Sequence, residues 1–121
     1  MSAGQRFPLT ATLLVTALVA VGCAQPQRPL YHWGTYEKQL YDYLRGDKTT
    51  PAVQLEALLR QAENATKAGE VLPPGFQAHL GAVYLKAGNL DNARKHFELE
   101  ARAFPESSQF MAFLIRNMGK K

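Results

Sequence analysis

Residues 74–107 read PGFQAHLGAVYLKAGNLDNARKHFELEARAFPES, and their spacing decides the architecture. The pattern predicts a helix over Phe76–Ala87, followed by Gly88 in the left-handed conformation that suits a residue without Cβ. Asn89 is placed to cap a second helix and Asp91 to occupy its positively polarised first turn, while Pro105 marks its end. Within that second helix Leu90, Ala93, Phe97, Ala101 and Phe104 recur three or four residues apart and share one face. Two helices joined by so short a Gly-Asn turn run antiparallel, so the stretch is a helical hairpin.

The order Leu80-Gly81, Tyr84, Gly88, Ala93, Phe97, Pro105 resembles one tetratricopeptide repeat, whose period is about 34 residues. The resemblance implies that Gly81 and Ala93 lie where the helices touch, with Tyr84 and Phe97 filling space beside them. It also implies a peptide-binding surface on the first helix of the hairpin, around Ala78, Ala82, Leu85 and Lys86. Two positions depart from the family: Gln77 stands where tryptophan is usual, and Glu100 where a second small residue is typical. One repeat cannot bury both of its faces, so the rest of the chain must cover them.

The flanking segments supply that cover. Tyr36, Leu40, Tyr43 and Leu44 suit one face of a helix over Thr35–Arg45, stopped by Gly46. Thr50-Pro51 has the form of an N-cap followed by proline at the first helical position. The next helix then carries Leu55, Leu58, Leu59, Ala62 and Thr66 on one face, a Glu56–Arg60 surface pair, and Gly69 at its end. EVLPPG makes a stiff connector to the hairpin. Ser107 or Ser108 is placed to cap a fifth helix, with Phe110, Met111, Phe113, Leu114 and Met118 laid on the hairpin. No segment alternates like a strand. The expected fold class is all-α: a short tetratricopeptide-like array of about five helices, with helices one and two as a degenerate hairpin.

Upstream, an uncharged apolar run over residues 9–21 follows a short polar start containing Arg6. It is shorter than the roughly 20 residues of a membrane-spanning helix and has the shape of a signal peptide. The one cysteine, Cys23, follows directly, so no internal disulfide is available. Ala20-Val21-Gly22-Cys23 resembles the lipobox of bacterial lipoproteins, although Ala20 replaces the usual leucine. That resemblance implies cleavage before Cys23, acylation of its thiol, and membrane attachment through those lipids. Ala24 is not the aspartate that favours inner-membrane retention, which implies an outer-membrane address facing the periplasm. The expected organisation is a signal peptide over 1–22, a lipidated tether over 23–29 and a helical domain over 30–121.

The mature layout also resembles a family of short bacterial lipoproteins known as domain of unknown function 4810. The residues that carry this are Pro29-Leu30-Tyr31-His32-Trp33-Gly34-Thr35-Tyr36, Leu40-Tyr41, Pro73-Pro74-Gly75-Phe76, His79-Leu80-Gly81 and Phe104-Pro105-Glu106-Ser107. Members are often encoded beside a lipoprotein similar to the curli secretion pore protein CsgG, which implies a place in an outer-membrane assembly.

Composition and motifs exclude several chemistries. The formal net charge of +4, or +3 once Arg6 leaves with the signal peptide, is spread among charges of both signs. No basic stripe of the kind that tracks phosphates is present, so nucleic acid is not an expected partner. His96 and Glu100 lie four apart, but a metal site needs three or four ligands, and His96 reads as a solvated side chain. His79 reads as a structural or groove residue. With Cys23 acylated there is no cysteine nucleophile, no serine sits in a nucleophile elbow, and no glycine-rich phosphate loop occurs. Asn64-Ala65-Thr66 matches a glycosylation acceptor by chance. No enzyme, metal or cofactor is expected.

The aromatic group Tyr31, Trp33, Tyr36, Tyr41 and Tyr43 is expected to pack onto the hairpin, with Tyr41 off the shared face and free for contact. The function expected from these readings is a membrane-anchored, non-catalytic protein-binding adaptor. The alternatives are an accessory factor for a periplasmic cell-wall enzyme, or a hydrolase whose site has no recognised motif.

Overall fold

A computed structural model of the chain describes residues 27–46 and 49–120. Cys23 and the segment before it lie outside the described residues. Among the described residues five α-helices follow in order: α1 Tyr36–Arg45, α2 Pro51–Ala68, α3 Phe76–Lys86, α4 Leu90–Ala103 and α5 Ser108–Asn117, with a 3₁₀ turn at Pro105–Ser107. No strand occurs among the described residues, so the fold is all-α as expected. Each helix packs chiefly on its neighbour in sequence, and the α3–α4 hairpin is the most extensive contact. None of the described helices is long and apolar enough to cross a membrane.

The helix ends follow the local chemistry. Thr50 accepts a hydrogen bond from the Val53 amide and Pro51 opens α2, while Asn89 accepts from the Asn92 amide at 3.1 Å at the start of α4. Gly88 turns between α3 and α4 with φ +79°, a value that a side chain would strain. At α5 the expectation fails. Ser107 Oγ donates instead to the Phe104 carbonyl and Ser108 Oγ to the Ala101 carbonyl, because the 3₁₀ turn already feeds the chain into the helix.

The core forms two clusters. Tyr36, Leu58, Phe76, Leu80 and Val83 make the first; Ala93, Phe97 and Met111 make the second, and Tyr84 packs against both. The hairpin closes where the small residues predicted. A Cβ built on Gly81 would lie 2.8 Å from the Phe97 ring and 3.1 Å from the Ala93 carbonyl oxygen, so the helices approach too closely for any side chain there.

Two predicted faces are rotated and a third loses one residue. The buried face of α2 is Gln54, Leu58, Gln61 and Ala65, whereas Leu59 and Thr66 are exposed. On α1, Tyr36 is buried and Leu40 and Tyr43 pack against the first cluster, but Leu44 points outward. On α5 the inward stripe runs through buried Met111 and half-buried Leu114 and Ile115 and continues to Met118 just past its end, which leaves Phe110 and Phe113 exposed. That helix is apolar on most sides, so spacing alone leaves its rotation open. The second cluster selects the stripe with flexible and branched side chains.

Candidate functional site

Buried polar side chains hold the helices in their relative positions. Gly75 gives α3 no side chain with which to cap its own start, so its amide donors need an acceptor from elsewhere. Glu100 of α4 supplies it: its carboxylate accepts from the Gly75 amide at 2.7 Å and the Ala78 amide at 3.3 Å. Glu100 is 2% exposed, and the positive end of the α3 dipole offsets its burial. The departure from a small residue at Glu100 is therefore a capping device. Its negative charge adds to burial in pushing the Tyr36 hydroxyl up to about 12.

A second set of ties anchors the segment before α1. Gln61 Oε1 accepts from the Thr35 amide and hydroxyl, each at 3.2 Å, and Gln61 Nε2 donates to the Trp33 carbonyl at 2.7 Å. Gln54 Nε2 donates to the Gln39 carbonyl at 3.1 Å. Two glutamines thus face inward on α2, where they tie that helix to the backbone of residues 33–39 with hydrogen bonds that leucine could not make. The cleft beside this clamp, about 330 Å³ in volume, has His32, Thr35, Gln39, Arg60, Gln61 and Asn64 among its lining residues. Much of that lining is committed already: Gln61 to the clamp, His32 to Glu70 and Arg60 to Glu56.

The histidines are structural. His96 is half-buried, stacked on Tyr84 at 5.3 Å, and its Nδ1 pairs with Gln77 Oε1 at 2.7 Å. This corrects the reading of His96 as solvated and gives Gln77 a role where the repeat family has tryptophan. Burial, with Lys95 nearby, lowers the His96 pKa. His96 and Glu100 serve different partners, and no group of three His, Cys, Asp or Glu able to hold a metal occurs among the described residues.

His79 is 5% exposed, lies between Tyr36 and Tyr43, and has no hydrogen-bond partner for either ring nitrogen among the described residues. Desolvation alone lowers its pKa to about 4 from the ordinary 6.5. The unfolded chain therefore binds the proton first as pH falls. Stability from neutral His79 is complete above pH 6.5, declines between 6.5 and 4, and does not return below. Its loss at pH 4.5 should be about 2 kcal/mol. Urea midpoints at pH 7.5 and 4.5 check this: the shift should shrink in His79→Phe, and an equal shift in both proteins would contradict it.

The predicted contact residues do not form one surface. Tyr41 is exposed, and its hydroxyl accepts from Arg45 Nη1 at 3.1 Å while the guanidinium lies over its ring. Lys86 is exposed with Nζ 4.9 Å above the Tyr43 ring. Ala82 is half-buried. Ala78 and Leu85 pack against the cluster of Ala93, Phe97 and Met111, so the hairpin and α5 already use them. Cys23 lies outside the described residues.

The structure instead brings out a surface that periodicity missed. Phe110 and Phe113 are 59% and 52% exposed and stack on one another with ring centroids 6.4 Å apart. Leu44 on α1 is 73% exposed, beside Tyr41 at 58% on the same helix. Spacing of three between Phe110 and Phe113 was the available signal, but both were counted toward the core. No curated protein and no solved structure matches the chain. The layout from Leu30 through α5 nevertheless has a family counterpart: the model of a domain of unknown function, DUF4810, matches residues 30–114, and the chain belongs to that family.

Proposed function

We propose that this protein is a lipoprotein held on the outer membrane through Cys23, where it serves as a non-catalytic protein-binding adaptor in a cell-envelope assembly. The observation that carries the reading is the pair of outward apolar groups on the helix stack: Phe110–Phe113 on α5, and Tyr41 with Leu44 on α1. Large exposed apolar side chains at fixed positions mark contact surfaces, and aromatic residues supply much of the energy at such interfaces. Lys86 adds a cation able to meet a carboxylate on the partner. The partner implied by the family resemblance is a CsgG-like lipoprotein.

The test is a crosslinking pulldown from envelopes with wild type, Phe110→Ala/Phe113→Ala, Tyr41→Ala and Ala82→Glu/Lys86→Glu, with folding checked by circular dichroism. The phenylalanine pair should lower partner recovery by about tenfold or more. Recovery of a pore-like lipoprotein supports the envelope assembly; a cell-wall enzyme in its place identifies an accessory factor for that enzyme. Unchanged recovery in every variant moves the surface elsewhere, and no specific partner for wild type defeats the adaptor reading. A fatty-acid label present in wild type and lost in Cys23→Ala checks the anchor separately.

A further inference from the structure

We propose that the rim formed by Leu30 and Val71 rests on the lipid surface to which the chain is tethered, fixing the orientation of the helical domain on the membrane. This deepens the reading of Cys23 as the lipidation site and rests on it. Leu30 is 83% and Val71 60% exposed, and the two line one groove together with Arg28, Gly69 and Glu70.

The rim is held in place. The His32 amide donates to the Val71 carbonyl at 2.7 Å, and the His32 ring pairs with the Glu70 carboxylate. Leu30 is thereby fastened beside the α2–α3 connector. Pro73, buried, and the Gly75 amide bonded to Glu100 fix the other end of that connector.

The length of chain before the rim selects the occupant. Leu30 lies seven residues after Cys23, a distance of about 25 Å at full extension and roughly 14 Å for a flexible chain. The two apolar side chains thus meet a bilayer surface at the high effective concentration of an intramolecular partner, and a weak contact suffices. Arg28 at the groove places a cation where anionic headgroups lie. Trp33, 43% exposed and three residues from Leu30, has the amphipathic ring suited to headgroup depth.

Trp33 is the one tryptophan of the chain and reports on this contact directly. The acylated mature protein is reconstituted in phosphatidylethanolamine–phosphatidylglycerol vesicles with brominated acyl chains, and Trp33 fluorescence is compared with Leu30→Glu/Val71→Glu. Brominated chains should quench wild type about twofold more strongly than the double variant, and aqueous iodide should quench it less. Leu90→Glu, beyond the far end of α3, should behave as wild type, and circular dichroism should be the same for all. Equal quenching in wild type and double variant, with acylation intact, overturns the docking and leaves the anchor standing. Absence of the acyl label on Cys23 overturns both.

Discussion

Gly81→Leu should lower the melting temperature by about 10–20 °C. The first carbon of any side chain at this position meets the Phe97 ring at 2.8 Å and the Ala93 carbonyl oxygen at 3.1 Å. Phe97 is 1% exposed and Ala93 fully buried, so neither has space into which to retreat. Overpacking of this kind costs about 3 kcal/mol at its upper end, against a total stability of roughly 5–15 kcal/mol for a small domain. Gly81→Ala should show the same effect at about 1 kcal/mol. Lys95→Leu, on the exposed side of α4, should stay within about 0.5 kcal/mol of wild type. Thermal unfolding of the three variants checks the helix register. Equal stability of Gly81→Leu and Lys95→Leu would show that the close approach does not exist.

Glu100→Ala should be the most damaging substitution of a charged residue, at about 3 kcal/mol. Two amides at the start of α3 lose their acceptor, and Gly75 has no side chain to replace it. Water reaches the site poorly, since Glu100 itself is 2% exposed. Glu100→Gln keeps an acceptor oxygen while losing the charge that answers the helix dipole, so its loss should be about half as large. The ordering Ala, then Gln, then wild type is the signature of capping in urea unfolding. Equal loss in both variants would assign the role to the negative charge alone. Because Glu100 also acts on the Tyr36 hydroxyl, its replacement should let that group titrate closer to its ordinary value of 10, although burial keeps it above.

Much of the fold was legible because its signals are local. Thr50-Pro51, Gly69, Gly88 and Asn89 act on backbone groups within a few residues, and each ends or starts a helix where the spacing predicted. Gly81 and Ala93 were legible for a related reason: a hairpin with a short turn has few possible registers, and only small residues permit the close one. The candidate surface was less accessible. Ala78 and Leu85 were expected on a partner-facing surface, but the second cluster uses them. Tyr41 and Lys86 remained exposed, while Phe110 and Phe113 moved from the expected core to the surface.

By itself the sequence determined the number of helices among the described residues, most of the helix ends, the α3–α4 hairpin and the all-α class, since each depends on backbone chemistry and spacing within one or two turns. Tertiary structure alone decided which way α2 and α5 rotate and what the inward polar residues do. Gln54 and Gln61 are buried because the Thr35 amide and the Trp33 and Gln39 carbonyls come within their reach, and Glu100 because the capless start of α3 lies beside it. Such partners are 15 to 28 residues distant along the chain. A hydrogen bond over that separation leaves no period in the sequence, so only the packed arrangement of helices reveals it.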